Sequence, residues 1–238
     1  MNSSEKVVYD LKEIADSEIA AHSSRFFKSG PGEYGEGDLF LGIRVPKQRK
    51  IAKFYRDISL VDVHELLQSP YHEVRLTALL ILVYKYKKSK KFEERERIYQ
   101  FYINHLDRVN NWDLVDSSAR YIAGHFLFEY SQNRSVLYTL SDSECLWERR
   151  IAIITTFYFI DKGDFGMTLG LAEKYLTDSE DLIHKATGWM LREIGKQNES
   201  ILRNFLDRYY QKMPRTMLRY AIEKLDEPVR QRYLKGEV

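Results

Sequence analysis

From the third residue onward, apolar side chains recur at three- and four-residue intervals, the spacing of a helix with one buried face. Val7, Val8, Leu11, Ile14 and Ala15 trace such a face, with Ser3 or Ser4 expected to cap it. Ile19, Ala20 and Phe26-Phe27 mark a second short helix that Ser29 and Gly30 should end. Pro46, suited to a first helical turn, restarts the pattern, and Lys47, Arg49, Lys50 and Lys53 make that helix basic on one side.

Beyond it the pattern acquires a longer period. Apolar helices with basic residues open near Glu73, Trp112, Trp147, Leu182 and Arg215, each expected to follow a shorter amphipathic helix. The openings are roughly 33 to 39 residues apart, in the range of HEAT and armadillo helix pairs. Ile151 to Phe157 is the best strand candidate, but its helical flanks make it a buried helix. Turn signals separate the hairpins at Ser69-Pro70, Lys88 to Lys91, Ser131 to Asn133, Lys162 to Asp164, Lys196 to Asn198 and Met213-Pro214. None is long enough to be a linker. The expectation is an all-α chain, a superhelical stack of HEAT-like hairpins forming a single domain over residues 1–238.

Composition narrows the setting. A lone cysteine, Cys145, excludes an internal disulfide, fits a reducing compartment and is expected to be a packed thiol. The first eighteen residues mix charge with apolar residues and resemble no targeting sequence, and the longest apolar run, Leu79 to Tyr84, is too short to span a membrane. A soluble, cytoplasmic protein is expected, acting as a monomer. The net charge is only +2, yet the first forty residues hold four Lys/Arg against eight Asp/Glu, so any polyanion site should lie beyond them.

Several chemistries drop out. Gly30, Gly32 and Gly35 match G-x-G-x-x-G literally, but no strand precedes them, Pro31 interrupts them, and Glu33, Glu36 and Asp38 would repel a pyrophosphate. That stretch reads as a loop. The six histidines lack metal-ligand spacing, and there is no Walker loop or G-x-S-x-G turn, so no metal or cofactor is expected.

A helix-pair stack binds extended partners on the wall built from its second helices. The residues opening them are Trp112 with Asp116, Arg149 with Arg150, Lys185 with Trp189 and Arg192, and Arg215 with Arg219. Trp112 and Asp116 are four apart and share a helical face; Asn111 can cap that helix, and Asp113 suits the positive end of its dipole. Taken singly, each has a plainer reading: a buried Trp, a solvated Asp, a surface ion pair, or for Trp189 a plug between hairpins, with Gly188 allowing close contact. Recurrence at equivalent repeat positions is harder to assign to packing.

Gly32 to Asp38 with Phe40 to Pro46, Asn110 to Asp116, Trp147 to Ile154, and Lys185 to Glu193 together resemble the DNA alkylation repair family of AlkD-like glycosylases, in the family's order and over about residues 5 to 225. The resemblance implies a C-shaped array of HEAT-like repeats that holds duplex DNA and excises N3- or N7-alkylated purines without a deep base pocket. It implies Asp116 as the catalytic carboxylate, Trp112 and Trp189 against the lesion's deoxyribose, and Arg150 and Arg192 on nearby phosphates. Lys185, Arg149 and Arg219 are added as candidate DNA contacts from their positions. Some members carry two adjacent tryptophans where this chain has Asn111-Trp112.

The chemistry suits such a site. A purine alkylated at N3 or N7 already bears positive charge and leaves without a general acid, so one carboxylate could stabilise the oxocarbenium-like sugar and orient water. Indole faces would add about 0.5 to 2 kcal/mol each toward a cationic sugar. Two other readings stand beside it: a catalytically silent binder of duplex or distorted DNA, and a peptide-binding solenoid.

Overall fold

Asn2, rather than Ser3 or Ser4, opens the first helix. Its side chain accepts the Glu5 N–H while Glu5 returns a bond to the Asn2 N–H, a reciprocal cap that frees Ser4 to bond Asn2 and Glu65. The structure, a computed structural model, describes residues 1–131 and 133–238, and their contacts group them into two units, 1–126 and 127–238. The turn expected at Ser131 to Asn133 includes Gln132, which lies outside the described residues.

In the first unit α1 (Ser3–Glu13), α2 (Ser17–Phe26), α3 (Val45–Phe54), α4 (Leu60–Leu67), α5 (His72–Lys88), α6 (Phe92–Ile103) and α7 (Trp112–Ser118) follow in order. A π-helical turn, Arg120–Gly124, then leads into α8 (His125–Glu129), which crosses the boundary. Helix α5 is the axis, packed by α3, α4, α6 and α7. Thirteen of its seventeen residues are buried, which is why its sequence is apolar on every side instead of striped. Leu39 bridges to the start of α5: its N–H donates to Pro70 O (3.1 Å) and its carbonyl accepts from His72 (2.8 Å). This pins the glycine-rich loop to the axis.

The second unit comprises α9 (Ser135–Ser141), α10 (Leu146–Thr155), α11 (Phe157–Asp161), α12 (Gly166–Lys174), α13 (Asp181–Gln197), α14 (Glu199–Tyr209), α15 (Arg215–Ala221) and α16 (Glu227–Lys235). Its axis is α13, against α10, α14 and α15. Ile151 to Thr155 lie in buried α10, as the flanking pattern implied. Gly188 is where α13 and α15 come together: a Cβ there would sit 2.5 Å from both Met217 O and Tyr220 Cβ. Gly188→Ala should therefore cost about 1–3 kcal/mol by overpacking. Urea denaturation measures it, and an unchanged midpoint would show that α15 gives way freely.

The repeat period holds. Helices open at 72, 112, 146, 181 and 215, each within one residue of expectation and 34 to 40 apart. Two details differ. The preceding helix is the longer one for α6 before α7 and for α14 before α15, because α7 passes into the π turn instead of running on and α15 stops after seven residues. Cys145 is exposed, not packed, since it forms the non-helical step into α10. Among the described residues no helix is long and apolar enough to cross a membrane.

Candidate functional site

Helix α7 begins where the sequence places its cap. Asn111 has an extended backbone and its side-chain oxygen accepts the Trp112 N–H at 2.8 Å. The next seven residues are helical, so Trp112 and Asp116 lie on one face, and both are half-buried. The Trp112 ring is held from one side by α2 and the residue after it, stacked on Phe27 (centroids 5.3 Å, interplanar 20°) and edge-on to Phe26 (5.8 Å). Phe27 in turn stacks on Phe40 and leans on His72. The two adjacent aromatics at the end of α2 are thus explained by what they cover.

Asp113 does something its place in a first turn did not suggest. It is 8% exposed, and its Oδ2 lies 2.9 Å from His72 Nε2. The other ring nitrogen, Nδ1, faces Asp38 Oδ2 at 3.1 Å. An imidazole can donate from both nitrogens only as the cation, so two carboxylate partners select the protonated ring. Burial disfavours that charge, but Asp113 and then Asp38 outweigh it and lift the His72 pKa to about 9. Arg75, 2% exposed, closes the group by donating from one Nη to Asp38 Oδ1 (2.7 Å) and Asn110 Oδ1 (3.1 Å). Burial pushes the Asp38 carboxyl up, while the bond to His72 and the Arg75 charge hold it below its usual value. Glu73 accepts backbone N–H groups of Leu41, Gly42 and Ile43 at 2.8–3.2 Å. Loop 30–44, α5 and α7 are therefore riveted together by buried charge directly behind Trp112.

Asp116 lies outside that group. Its charge reaches buried Tyr102, whose hydroxyl is pushed up mainly by burial and further by Asp116, with the 3.1 Å bond to Ser118 opposing. Of the two carboxylates on α7, Asp113 is committed to His72, and Asp116 keeps part of its surface in solvent. A cavity of about 650 Å³ in the same unit is lined by Phe27, His72, Asp113 and residues of α2 and α3. His72 and Arg75, missed in sequence, could have been suspected as charged residues opening a run otherwise built for the core.

The second unit holds the other expected contacts. Trp189 is half-buried, donates from Nε1 to Glu193 Oε1 (3.0 Å) and meets Phe157 edge-on (5.4 Å). Arg150 is buried, and one Nη donates to Leu182 O at 2.7 Å. Arg149 pairs with Asp178 (2.8 Å), Lys185 with Asp181 (2.8 Å), and Arg192 with Glu223. Arg219 is exposed. Arg149, Lys185 and Arg192 thus already have carboxylate partners.

The fold is that of an all-α helical-repeat protein with a half-buried tryptophan–carboxylate pair on one face of α7. The sequence profile of the DNA alkylation repair enzyme family matches residues 7–225, and the chain belongs to that family. Among solved structures it is similar to a protein of Enterococcus faecalis described as a predicted DNA alkylation repair enzyme, at 17% identity and TM-score 0.70, covering 90% of this chain and 97% of that one. It is also similar to AlkD2 from Streptococcus mutans, at 17% identity and TM-score 0.55, covering 94% and 100%. At that identity the likeness concerns the fold. No curated protein sequence matches.

Proposed function

We propose that this repair protein is a monofunctional glycosylase that hydrolyses the N-glycosidic bond of cationic N3- or N7-alkylated purines in duplex DNA, with Asp116 as its carboxylate. The observation that supports this most is the division of labour on α7, where Asp113 is consumed by the buried group and Asp116 shares an accessible face with Trp112. Asp116 stabilises the positive charge that develops on the sugar and orients a water toward the anomeric carbon. As the carbon–nitrogen bond breaks, its electron pair goes to the purine, which leaves neutral. The water oxygen bonds the anomeric carbon, and its proton passes to Asp116 or to solvent. Trp112 presents an indole to the cationic sugar. Phosphate contacts are assigned, on the family resemblance, to Arg150 and Arg192, with Trp189 a second sugar contact; Arg149, Lys185 and Arg219 are secondary candidates.

Selectivity then follows leaving-group charge. Release of 7-methylguanine from alkylated duplex should exceed release of uracil or hypoxanthine by more than about 10²-fold, since neither neutral base is offered a general acid. Comparable rates for the charged and neutral bases would eliminate this mechanism.

A further inference from the structure

His64 and His105 are 41 residues apart in sequence, and the packing of α4 and α6 on α5 brings their rings together. His64 Nδ1 lies 2.7 Å from His105 Nε2, with the ring centres 5.0 Å apart and the planes at 70°. The other nitrogen of His105, Nδ1, lies 2.7 Å from the Phe101 carbonyl oxygen. A carbonyl only accepts, so Nδ1 carries the hydrogen and the neutral ring turns the lone pair on Nε2 toward His64. The hydrogen between the two rings then belongs to His64 Nδ1.

His105 is the fixed member of the pair. Its ring stacks on Phe101 (centroids 4.2 Å, interplanar 25°) and is only partly exposed. Arg108 Nε donates to Leu67 O at 2.9 Å, which ties the stretch after α6 to the last residue of α4. His64, one turn earlier in α4, is exposed, so its ring can rotate against solvent. A histidine that gives one N–H to a backbone carbonyl and presents its other nitrogen to a movable second imidazole has the arrangement of a metal ligand. The carbonyl fixes the tautomer and makes the free nitrogen more basic.

We infer that His64 Nδ1 and His105 Nε2 form a two-imidazole site for a borderline divalent transition-metal ion, Zn²⁺, Ni²⁺ or Cu²⁺. Imidazole nitrogen selects these ions over Mg²⁺ and Ca²⁺, which take oxygen ligands. The ion replaces the hydrogen between the rings: the His64 proton leaves Nδ1 and one is taken up at Nε2 from solvent, so two neutral rings bind it with no net proton release. Metal–nitrogen bonds of about 2.0–2.1 Å at a tetrahedral angle need the nitrogens about 3.3 Å apart, a small outward movement of the exposed His64 ring. Among the described residues no group of three or more His, Cys, Asp or Glu side chains is placed to hold a metal, so water completes the coordination. The bound ion links α4 to the stretch after α6 and stabilises the first unit. Nothing in this assignment depends on DNA or on Asp116.

Cu²⁺ and Zn²⁺ are the probes, added to metal-free, tag-free protein. At one equivalent of Cu²⁺ the electron paramagnetic resonance spectrum should carry nitrogen couplings from two imidazoles. His64→Gln, at an exposed position, should leave at most one. It should also weaken Zn²⁺ binding, measured by calorimetry, at least as much as the about 10- to 100-fold that loss of a ligand's orienting partner costs. His105→Gln should do the same, and His22→Gln, which removes another exposed histidine, should change neither. Saturating Zn²⁺ should raise the urea midpoint of the wild type and leave that of His64→Gln where it was. Circular dichroism and metal-free urea midpoints verify that the variants fold. A folded His64→Gln that keeps the two-nitrogen spectrum and wild-type Zn²⁺ affinity overturns the site. So does a wild type that takes up less than one equivalent of both ions, or one whose binding is lost in His22→Gln and kept in His64→Gln.

Discussion

Asp116→Asn is expected to lower 7-methylguanine release from alkylated duplex by about 10²- to 10³-fold, the loss of about 3–4 kcal/mol of transition-state stabilisation. The change keeps the shape of the side chain and removes its charge. Asp116 keeps part of its surface in solvent and lies outside the Asp38–His72–Asp113–Arg75 group, so the urea midpoint should move less than for a member of that group, and duplex affinity should persist because it rests on phosphate contacts. Asp113→Asn provides the contrast. It weakens the partner of a buried imidazolium, so any loss of activity there should arrive with a loss of stability. Single-turnover excision beside denaturation curves separates the two. Retention of more than a tenth of the wild-type rate in folded Asp116→Asn would take catalysis away from that carboxylate.

His72→Phe is expected to cost about 3–5 kcal/mol, because it leaves Asp38 and Asp113 buried without the cation between them. The wild type should show the same dependence through pH. His72 has a folded pKa of about 9 against an ordinary 6.5, so its contribution is complete below about pH 6.5 and is lost as pH rises through 9. A shift of that size corresponds to roughly 3 kcal/mol. Asp38 acts with the opposite sign: its lowered pKa makes its contribution present above about pH 4 and lost as acid titrates the folded carboxylate. Urea denaturation at pH 6, 8 and 10 should show the wild type weakening over the alkaline steps and His72→Phe lacking most of that change. A wild type equally stable at pH 6 and pH 10 would mean the imidazole is not held as the cation.

The sequence carried the periodic information well and the long-range pairings poorly. Helix openings at Trp112 and Arg215 are local events, set by Asn111 as a cap and by the Pro214 restriction on the chain, and a reader of the sequence can see both. The Asn2 cap and the exposure of Cys145 are also local, and were missed because several polar residues compete for each boundary. The Asp38–His72–Asp113–Arg75 group joins residues 34 to 41 positions apart, and nothing in a periodicity count says which carboxylate meets which ring. Its only trace is His72 and Arg75 at the head of an apolar run. The pairing of Arg149, Lys185 and Arg192 with acids was invisible for the same reason in two cases, and in the third, Lys185 with Asp181, a four-residue spacing was there to be noticed.

The π turn has a consequence for comparing relatives. Gly124 N–H reaches back five residues to Ala119 O (2.9 Å), so this segment stores one residue more than a regular helix would. Downstream, His125 is fixed to the Tyr86 hydroxyl (3.0 Å) and Phe126 lies flat on Tyr99 (4.3 Å), which anchors that side of the splice. Deleting one residue there would rewind the helix by about 100°, and the rotation would fall on the segment that carries the indole and the acid. Aim at this spot is thus set by chain length as well as by side-chain identity. Two homologues with the same Trp-x-x-x-Asp spelling but a one-residue difference after it would point that pair in different directions, so a shared motif transfers geometry only when the splice is shared too.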